Sequence, residues 1–353
     1  MDYDQTLKKY INVLQHEGGS DMHLSAGAHP TIRVASSLAP MLKEPVLTGE
    51  DTMGFLSALL RPEQMKEFLA KQEFDFAYEV EGSARFRGNA FFQRGTISIA
   101  LRLIPRSIKT IQELGLPEVL LSFARKTQGF FLVVGPVGQG KTTTLAALIE
   151  SINTERMEHI VTIEDPIEYI FEAKQSLIDQ REVHIDTADF AAALMSAFRQ
   201  DVDVILVGEM RGPETMAAAV TAAETGHLVF STLHTNDAAQ TIDRIIDSFP
   251  GSQQDQIRLQ LASSLAGIFS QRLLPRVSGG LIPAYELLIN NKAVSNLIRE
   301  KRAHEINTII ETGSTEGMID MNRCLAELVA RGEITVETAY QFSQNPNILN
   351  KLL

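Results

Sequence analysis

The 353-residue sequence has no tryptophan and one cysteine, Cys324. A single thiol permits no internal disulfide and cannot alone build a zinc site. Long apolar runs are missing too. Runs such as Phe130–Val134 and Val204–Val207 fall far short of the ~20 residues that span a bilayer. Met1-Asp2-Tyr3-Asp4 is acidic with no apolar stretch behind it, so no secretory signal is expected. No internal repeat on the order of 20–50 residues appears. Positive charge is scarce: 32 Lys and Arg stand against 44 Asp and Glu, a net charge of −12. Residues 1–106 are nearly balanced, with 12 basic and 13 acidic side chains, while residues 107–353 carry 20 and 31. An acidic surface repels phosphate backbones and anionic lipid. Nucleic acid is therefore not expected as a partner, nor is direct membrane insertion. A cytoplasmic protein is expected, with any membrane association made through another protein.

What is present divides in two near Ile104-Pro105-Arg106. Helical spacing covers Asp2–Glu17 and Asp51–Lys71. Phe86, Phe91, Ile97, Ile99 and Leu101 lie among β-formers and predict strands within Arg85–Arg106, with Arg94-Gly95 as the turn. That is a small α+β domain. Ser107–Leu116 reads as a connector. Beyond it, strands are expected at Gly129–Val134, Ile160–Ile163, Val204–Val207 and Leu228–Ser231. Helices are expected between them, at Lys141–Ile152, Thr187–Arg199 and Pro213–Thr225. Interleaving of this kind predicts a parallel sheet covered on both faces, an α/β fold. From Pro283 onward helical periodicity dominates, as in Ala293–Lys301 and Asn322–Arg331.

The most specific motif is Gly135-Pro136-Val137-Gly138-Gln139-Gly140-Lys141-Thr142, which fits G-x-x-x-x-G-K-[ST] without mismatch. A buried strand precedes it and a helix follows, as a phosphate loop requires. The glycines let backbone N–H groups turn toward phosphate oxygens, and the helix N-terminus adds its dipole. Lys141 is expected to reach the β/γ-phosphates of ATP and Thr142 to ligate Mg²⁺, with Thr143 following in the same turn. Asp203–Glu209 is an apolar strand ending in a carboxylate, and with a phosphate loop upstream Glu209 becomes a candidate beside the metal. Ile163-Glu164-Asp165-Pro166 sets carboxylates at a strand end, because Pro166 disfavours helix in the residue before it. Glu164 there can orient an attacking water; a solvated turn is the plainer alternative. His227 and His234 flank one strand at a spacing that argues against zinc. Each is either structural or a phosphate sensor. Arg85, Arg87, Arg94, Arg102 and Arg106 form a basic series, read either as a solvated face or as arginines reaching a neighbouring subunit's phosphate.

In this order the elements resemble the PilT-like branch of the type II/type IV secretion ATPase superfamily, the pilus retraction motors. The resemblance runs nearly end to end. It rests on Gly19–Leu24, Ala84–Asn89, the phosphate loop, Thr162–Tyr169, Gln180–Val183, Val207–Arg211, and Glu224–His227 through Thr232–Thr235. It implies a PAS-like α+β N-terminal domain (1–104), a linker (105–116), a RecA-like P-loop ATPase core (117–280) and a helical C-terminal extension (281–353). It further implies a homohexamer with ATP between subunits, working with an inner-membrane pilus platform protein and held at that membrane through protein partners. By position, Glu164 matches the family's catalytic glutamate and Glu209 its Walker B acid. His227 and His234 match its histidine box, making His234 a nucleotide-linked residue. Arg87, Arg94 and Arg102 align with the region that supplies trans arginines. Ala293–Glu300 is similar to the retraction signature Ala-Ile-Arg-Asn-Leu-Ile-Arg-Glu.

The function so implied is ATP-driven retraction of type IV pili. An accessory pilus motor or a type II secretion ATPase is the alternative. A non-hydrolysing ATP-sensing scaffold is disfavoured by the intact Glu164 and Glu209, and a nucleic-acid translocase by the charge. Three departures from the family stand out. Gln139 replaces a small hydroxyl residue, which should spare binding because backbone amides do the cradling, while turnover changes. Ser295 replaces an arginine of the signature. Ala35-Ser36-Ser37 replaces the usual Asp-Gly turn.

Overall fold

The computed structural model describes residues 2–34, 37–80, 84–104 and 107–353. The expectations for the Ala35-Ser36 turn and for Pro105 and Arg106 lie outside the described residues. The chain divides into two compact units, residues 1–106 with 168–170, and residues 107–167 with 171–353.

The first unit opens on the helix Tyr3–His16, capped by the Asp2 carboxylate, which accepts from the Gln5 amide. Leu7, Tyr10, Ile11 and Leu14 are buried at helical spacing and form its inner stripe. The single helix expected over Asp51–Lys71 is two, Gly49–Leu59 and Pro62–Lys71. A Thr48–Asp51 capping box starts the first one early, and Pro62 holds Arg61 in an extended conformation that ends the run. The strands are β1 (Asp21–Ser25), β2 (Thr31–Val34), β3 (Ser37–Pro40), β4 (Glu73–Val80), β5 (Ala84–Gln93) and β6 (Thr96–Ile104). They form an antiparallel sheet in the order β3-β2-β1-β6-β5-β4. Arg94 and Gly95 turn β5 into β6 with φ of 49° and 77°, the left-handed pair that a two-residue hairpin favours. Alternation along β5 buries Phe86, Gly88 and Ala90, leaving Arg85, Arg87, Asn89 and Phe91 on the other face.

The second unit holds β7 (Gly129–Val134), β8 (His159–Glu164), β9 (Leu177–Glu182), β10 (Val204–Val207), β11 (Leu228–Leu233), β12 (Leu265–Pro275) and β13 (Leu281–Ile289). Their order is β13-β12-β7-β11-β10-β8-β9, parallel throughout except that β13 runs antiparallel to β12. Every residue of β7, β10 and β11 is buried, as expected of central strands under helices, Ser231 and Thr232 of β11 included. The expected helices form as Lys141–Glu155, Phe190–Ala197 and Pro213–Glu224.

One expectation fails in this unit. The stretch from Pro283 is strand β13 up to Ile289, and helices begin only at Lys292. Pro283 is tolerated because β13 lies at the sheet's edge. In the helix Lys292–Arg299 the apolar stripe is Val294, Leu297 and Ile298, while Ala293 is exposed. Among the described residues no helix is long and apolar enough to cross a membrane. Because the strands from β12 to β9 point the same way, the chain leaves β7, β8, β10 and β11 at one edge of the sheet, where open α/β sheets bind ligands.

Candidate active site

Gly135–Gly140 carries the chain from β7 into the helix Lys141–Glu155. Gly135, Gly138 and Gly140 adopt φ of 147°, 78° and 76°. At Gly135 a Cβ would meet the Gln271 carbonyl oxygen at 2.5 Å, so the loop needs glycine there for both space and conformation. Gln139 is half-buried, and its side-chain Oε1 accepts from the Leu273 amide at 2.7 Å. Thr142 and Thr143 lie in the first helical turn, both half-buried.

Lys141 is buried. Its Nζ donates to the Gly135 and Pro136 carbonyls at 2.8 and 2.9 Å, and it lies 3.3 Å from Nδ1 of His234. An ammonium can only donate, so Nδ1 accepts and the ring proton falls on Nε2. That Nε2 is 3.5 Å from the Glu209 carboxylate. Glu209 also pairs with Arg211, whose guanidinium reaches Asp165 at 3.9 Å. The Glu209 carboxylate, by hydrogen bond and charge, holds the Arg211 guanidinium above its ordinary pKa. A continuous polar chain therefore links Lys141, His234, Glu209, Arg211 and Asp165. Arg211 ends the Val207–Arg211 motif, but nothing in its spacing marks it as a partner of Glu209.

Glu164 closes β8 and is 4% exposed. Its Oε1 accepts from Thr162 Oγ1 at 2.7 Å and from Gln180 Nε2 at 3.3 Å. Gly208 lets the ends of β8 and β10 approach, since a Cβ there would stand 3.3 Å from the Ile163 carbonyl and 3.4 Å from Glu164 Cα. Thr232 Oγ1 on β11 then donates to the Gly208 carbonyl at 2.7 Å. Three adjacent strands thus fix Glu164, Glu209 and His234 at one edge. The Asp165–Pro166 peptide bond is cis. Among the described residues no cluster of three His, Cys, Asp or Glu could hold a metal. The Thr142 hydroxyl and the Glu209 carboxylate are hard oxygen donors, the kind magnesium takes alongside phosphate oxygens.

Residues 5–341 match the family of type II/IV secretion system proteins. The chain is 44% identical over 330 residues to the type IV pilus retraction ATPase PilT of Pseudomonas aeruginosa, covering 94% of this chain and 96% of that protein. The chain belongs to this family, in its PilT-like branch. It is also 38% identical over 347 residues to the type IV pilus ATPase PilU of the same organism, covering 98% of this chain and 91% of the relative. The crystal structure of the pilus retraction motor PilT with bound ADP superimposes with a TM-score of 0.92 at 45% identity, covering 97% of this chain and 98% of that one. The fold is accordingly that of a PilT-like protein, a PAS-like α+β domain followed by a RecA-like domain with helices at its C-terminal end.

Two sets of residues that the PilT-like resemblance singles out stand apart from one another in the structure. His227 stands at the start of β11, roughly 20 Å from His234 by strand rise. Its Nδ1 lies 3.0 Å from the Ala222 carbonyl and its ring meets Phe198 edge-on at 5.6 Å. Neither of these partners belongs to the phosphate loop. The arginines also separate. Arg87 and Arg102 face each other directly across β5 and β6, and Arg102 Nε donates to Asp21 Oδ1 at 2.8 Å. Burial pushes the Asp21 carboxyl up, but its bonds to Ser20 and Arg102 outweigh that and leave it below the usual value. Arg94 sits at the hairpin tip, roughly 20 Å along the strand from Arg87. Arg85 is within 3.7 Å of Glu79.

Proposed function

We propose that this chain is a Mg²⁺-dependent ATPase which, as a homohexamer, powers retraction of type IV pili. It works from the cytoplasmic side of the inner membrane through the pilus platform protein and associated machinery. The observation that carries the reading is the polar chain from Lys141 through His234 to Glu209, beside Glu164, in a protein similar over nearly its whole length to a named pilus retraction ATPase. Residues 1–104 serve as the PAS-like domain, 105–116 as the linker and 117–280 as the motor core. The helical extension is assigned to the segment from Lys292 on, since β13 belongs to the sheet.

In this reading the amides of Gly138, Gln139, Gly140 and Lys141 surround the β- and γ-phosphates, and the Lys141 ammonium moves from the Gly135 and Pro136 carbonyls to phosphate oxygen. Thr142 and Glu209 would hold magnesium, which would neutralise phosphate charge. Glu164, held by Thr162 and Gln180, orients the attacking water and receives its proton. His234 links Lys141 to Glu209 and so senses what occupies the loop. Arg87, Arg94 and Arg102 are the candidates for stabilising developing charge on a neighbouring subunit's nucleotide.

The test is deletion followed by imaging of pili. Loss of the retraction motor leaves heavily piliated cells that do not twitch, and normal retraction in the deletion strain would overturn the reading. The likeness to PilU keeps a second reading in play, a pilus ATPase that supports another retraction motor. Retraction that is weakened but not lost would favour it.

A further inference from the structure

Strand β12 is longer than its neighbour. Pairing with β7 ends at Ser270 opposite Val134, yet β12 continues to Pro275 against β13 alone. Its other edge, from Gln271 on, loses its strand partner where the phosphate loop begins. The Leu273 amide falls on that side. Leu273 faces Pro283 on β13 as a non-hydrogen-bonded pair, so its amide points away from β13. Backbone donors left without partners are costly, so something must take this one.

Gln139 takes it. Its Oε1 accepts from Leu273 N at 2.7 Å, a side chain doing what a strand carbonyl would do. Gln271, 3% exposed on β12, grips the same residue from the other side. Its Nε2 donates to the Gln139 carbonyl at 2.7 Å, and its Oε1 accepts from Thr144 Oγ1 of the following helix at 2.7 Å. Gly140 lies under this clasp, where a Cβ would come within 2.9 Å of Gln271 Nε2. The loop is therefore tied to β12 through both the side chain and the main chain of Gln139. A serine at this position is too short to reach Leu273.

We propose that Gln139 and Gln271 are positioning residues that fasten the phosphate loop to the overhanging end of β12 and so raise the affinity for nucleotide phosphates. The proposal rests on the nucleotide-binding reading above. A loop held in its cradle shape before the ligand arrives has less ordering to do on binding. The effect belongs to binding of ADP and ATP alike, not to the chemical step.

The test uses the full-length protein with Gln139→Met, which keeps side-chain length without the acceptor, Gln271→Leu, and the double variant. ADP affinity is measured by calorimetry, and KM and kcat for ATP by phosphate release. We expect Gln139→Met to weaken ADP binding about five- to tenfold, as loss of one bond plus preorganisation implies. KM for ATP should rise in step and kcat should change less. The double variant should lose less than the product of the singles, since both act on one residue. Unchanged ADP affinity in Gln139→Met, or a fall in kcat with ADP affinity intact, overturns the proposal. Gln139 is only half-buried, so its variant carries the test even if Gln271→Leu proves unstable. Failure of the unmodified chain to bind ADP would instead overturn the nucleotide-binding reading itself.

Discussion

The two ends of β11 carry the same residue type in opposite surroundings. At its C-terminal end, His234 touches the Lys141 ammonium and faces the Glu209 carboxylate. At its N-terminal end, His227 has a backbone carbonyl and the edge of Phe198. The strand between them is wholly buried and sets them at opposite edges of the sheet. What differs is the edge of the sheet. A parallel sheet gathers the strands' C-terminal ends with their loops and helix N-termini on one side, and that side collects charge. In this chain the two histidines thus divide into one beside Lys141 and Glu209 and one that packs at the opposite edge of the sheet.

The largest break in this contrast should come from Lys141→Ala. Removing the cation that the proposed reading brings to the phosphates should cut ATP turnover by about a thousandfold and weaken nucleotide binding. Steady-state phosphate release and ADP calorimetry measure the two. Glu164→Gln comes next. It keeps shape and the bonds to Thr162 and Gln180 but loses basicity, so turnover should fall by about a hundredfold or more while ATP stays bound. Wild-type turnover in Glu164→Gln would remove Glu164 from the chemistry.

The phosphate-loop side of this comparison was legible in the sequence because its signals are local. A glycine spacing, an apolar run ending in Glu209 and a proline after Asp165 each place one group at a strand end without knowledge of the fold. What was not legible depends on pairing between distant segments. Gln271 and Leu273 meet Gln139 only because β12 lies beside β7 and outruns it, and nothing near Gln139 announces β12. The strands β1 to β4 were missed because their alternation is short and half exposed. The stretch Leu281–Ile289 was misjudged because a run of apolar residues with one proline reads equally well as a buried helix. The helix split at Pro62 was available from the proline itself.

Glu286 offers a smaller effect on stability. It lies on β13 opposite Ser270, buried, and accepts from the Ala238 amide at 2.9 Å, four residues beyond His234. Burial pushes its carboxyl up to about 7, against the help of the Ala238 amide, with Asp237 and Asp320 adding to the rise. The folded protein therefore holds this proton over a range where the unfolded chain, near the ordinary 4.5, has released it. That contribution to stability is complete below the unfolded value and fades as pH rises toward 7. The total is about 3 kcal/mol. Glu286→Gln keeps an acceptor for Ala238 and carries no charge at any pH. Urea unfolding should show the variant more stable than the parent at pH 8 by about 2–3 kcal/mol and nearly equal to it at pH 4. A parent whose stability changes no more than the variant's between those values would mean Glu286 ionises freely where it sits.

The smallest expected effects test the histidine pair directly. His234→Ala removes one bond to a buried ammonium and one charge-facing contact with Glu209, and a hydrogen bond to a charged group is worth about 1.5–3 kcal/mol. Lys141 has other partners in either state, the Gly135 and Pro136 carbonyls without nucleotide and phosphate oxygens with it, so the loss should sit at the low end, about tenfold in turnover. Folding should be little affected, since His234 is half exposed, with 51% of its side chain accessible. His227→Ala should do the reverse. It gives up a bond to the Ala222 carbonyl and an aromatic edge contact, about 1 kcal/mol of stability, with turnover within about twofold of the parent. Phosphate release and urea midpoints on both variants, in rings of checked size, decide the matter. If His227→Ala lost turnover while its midpoint held, the far end of β11 would be coupled to the nucleotide after all, and the contrast between the two edges of the sheet would fail.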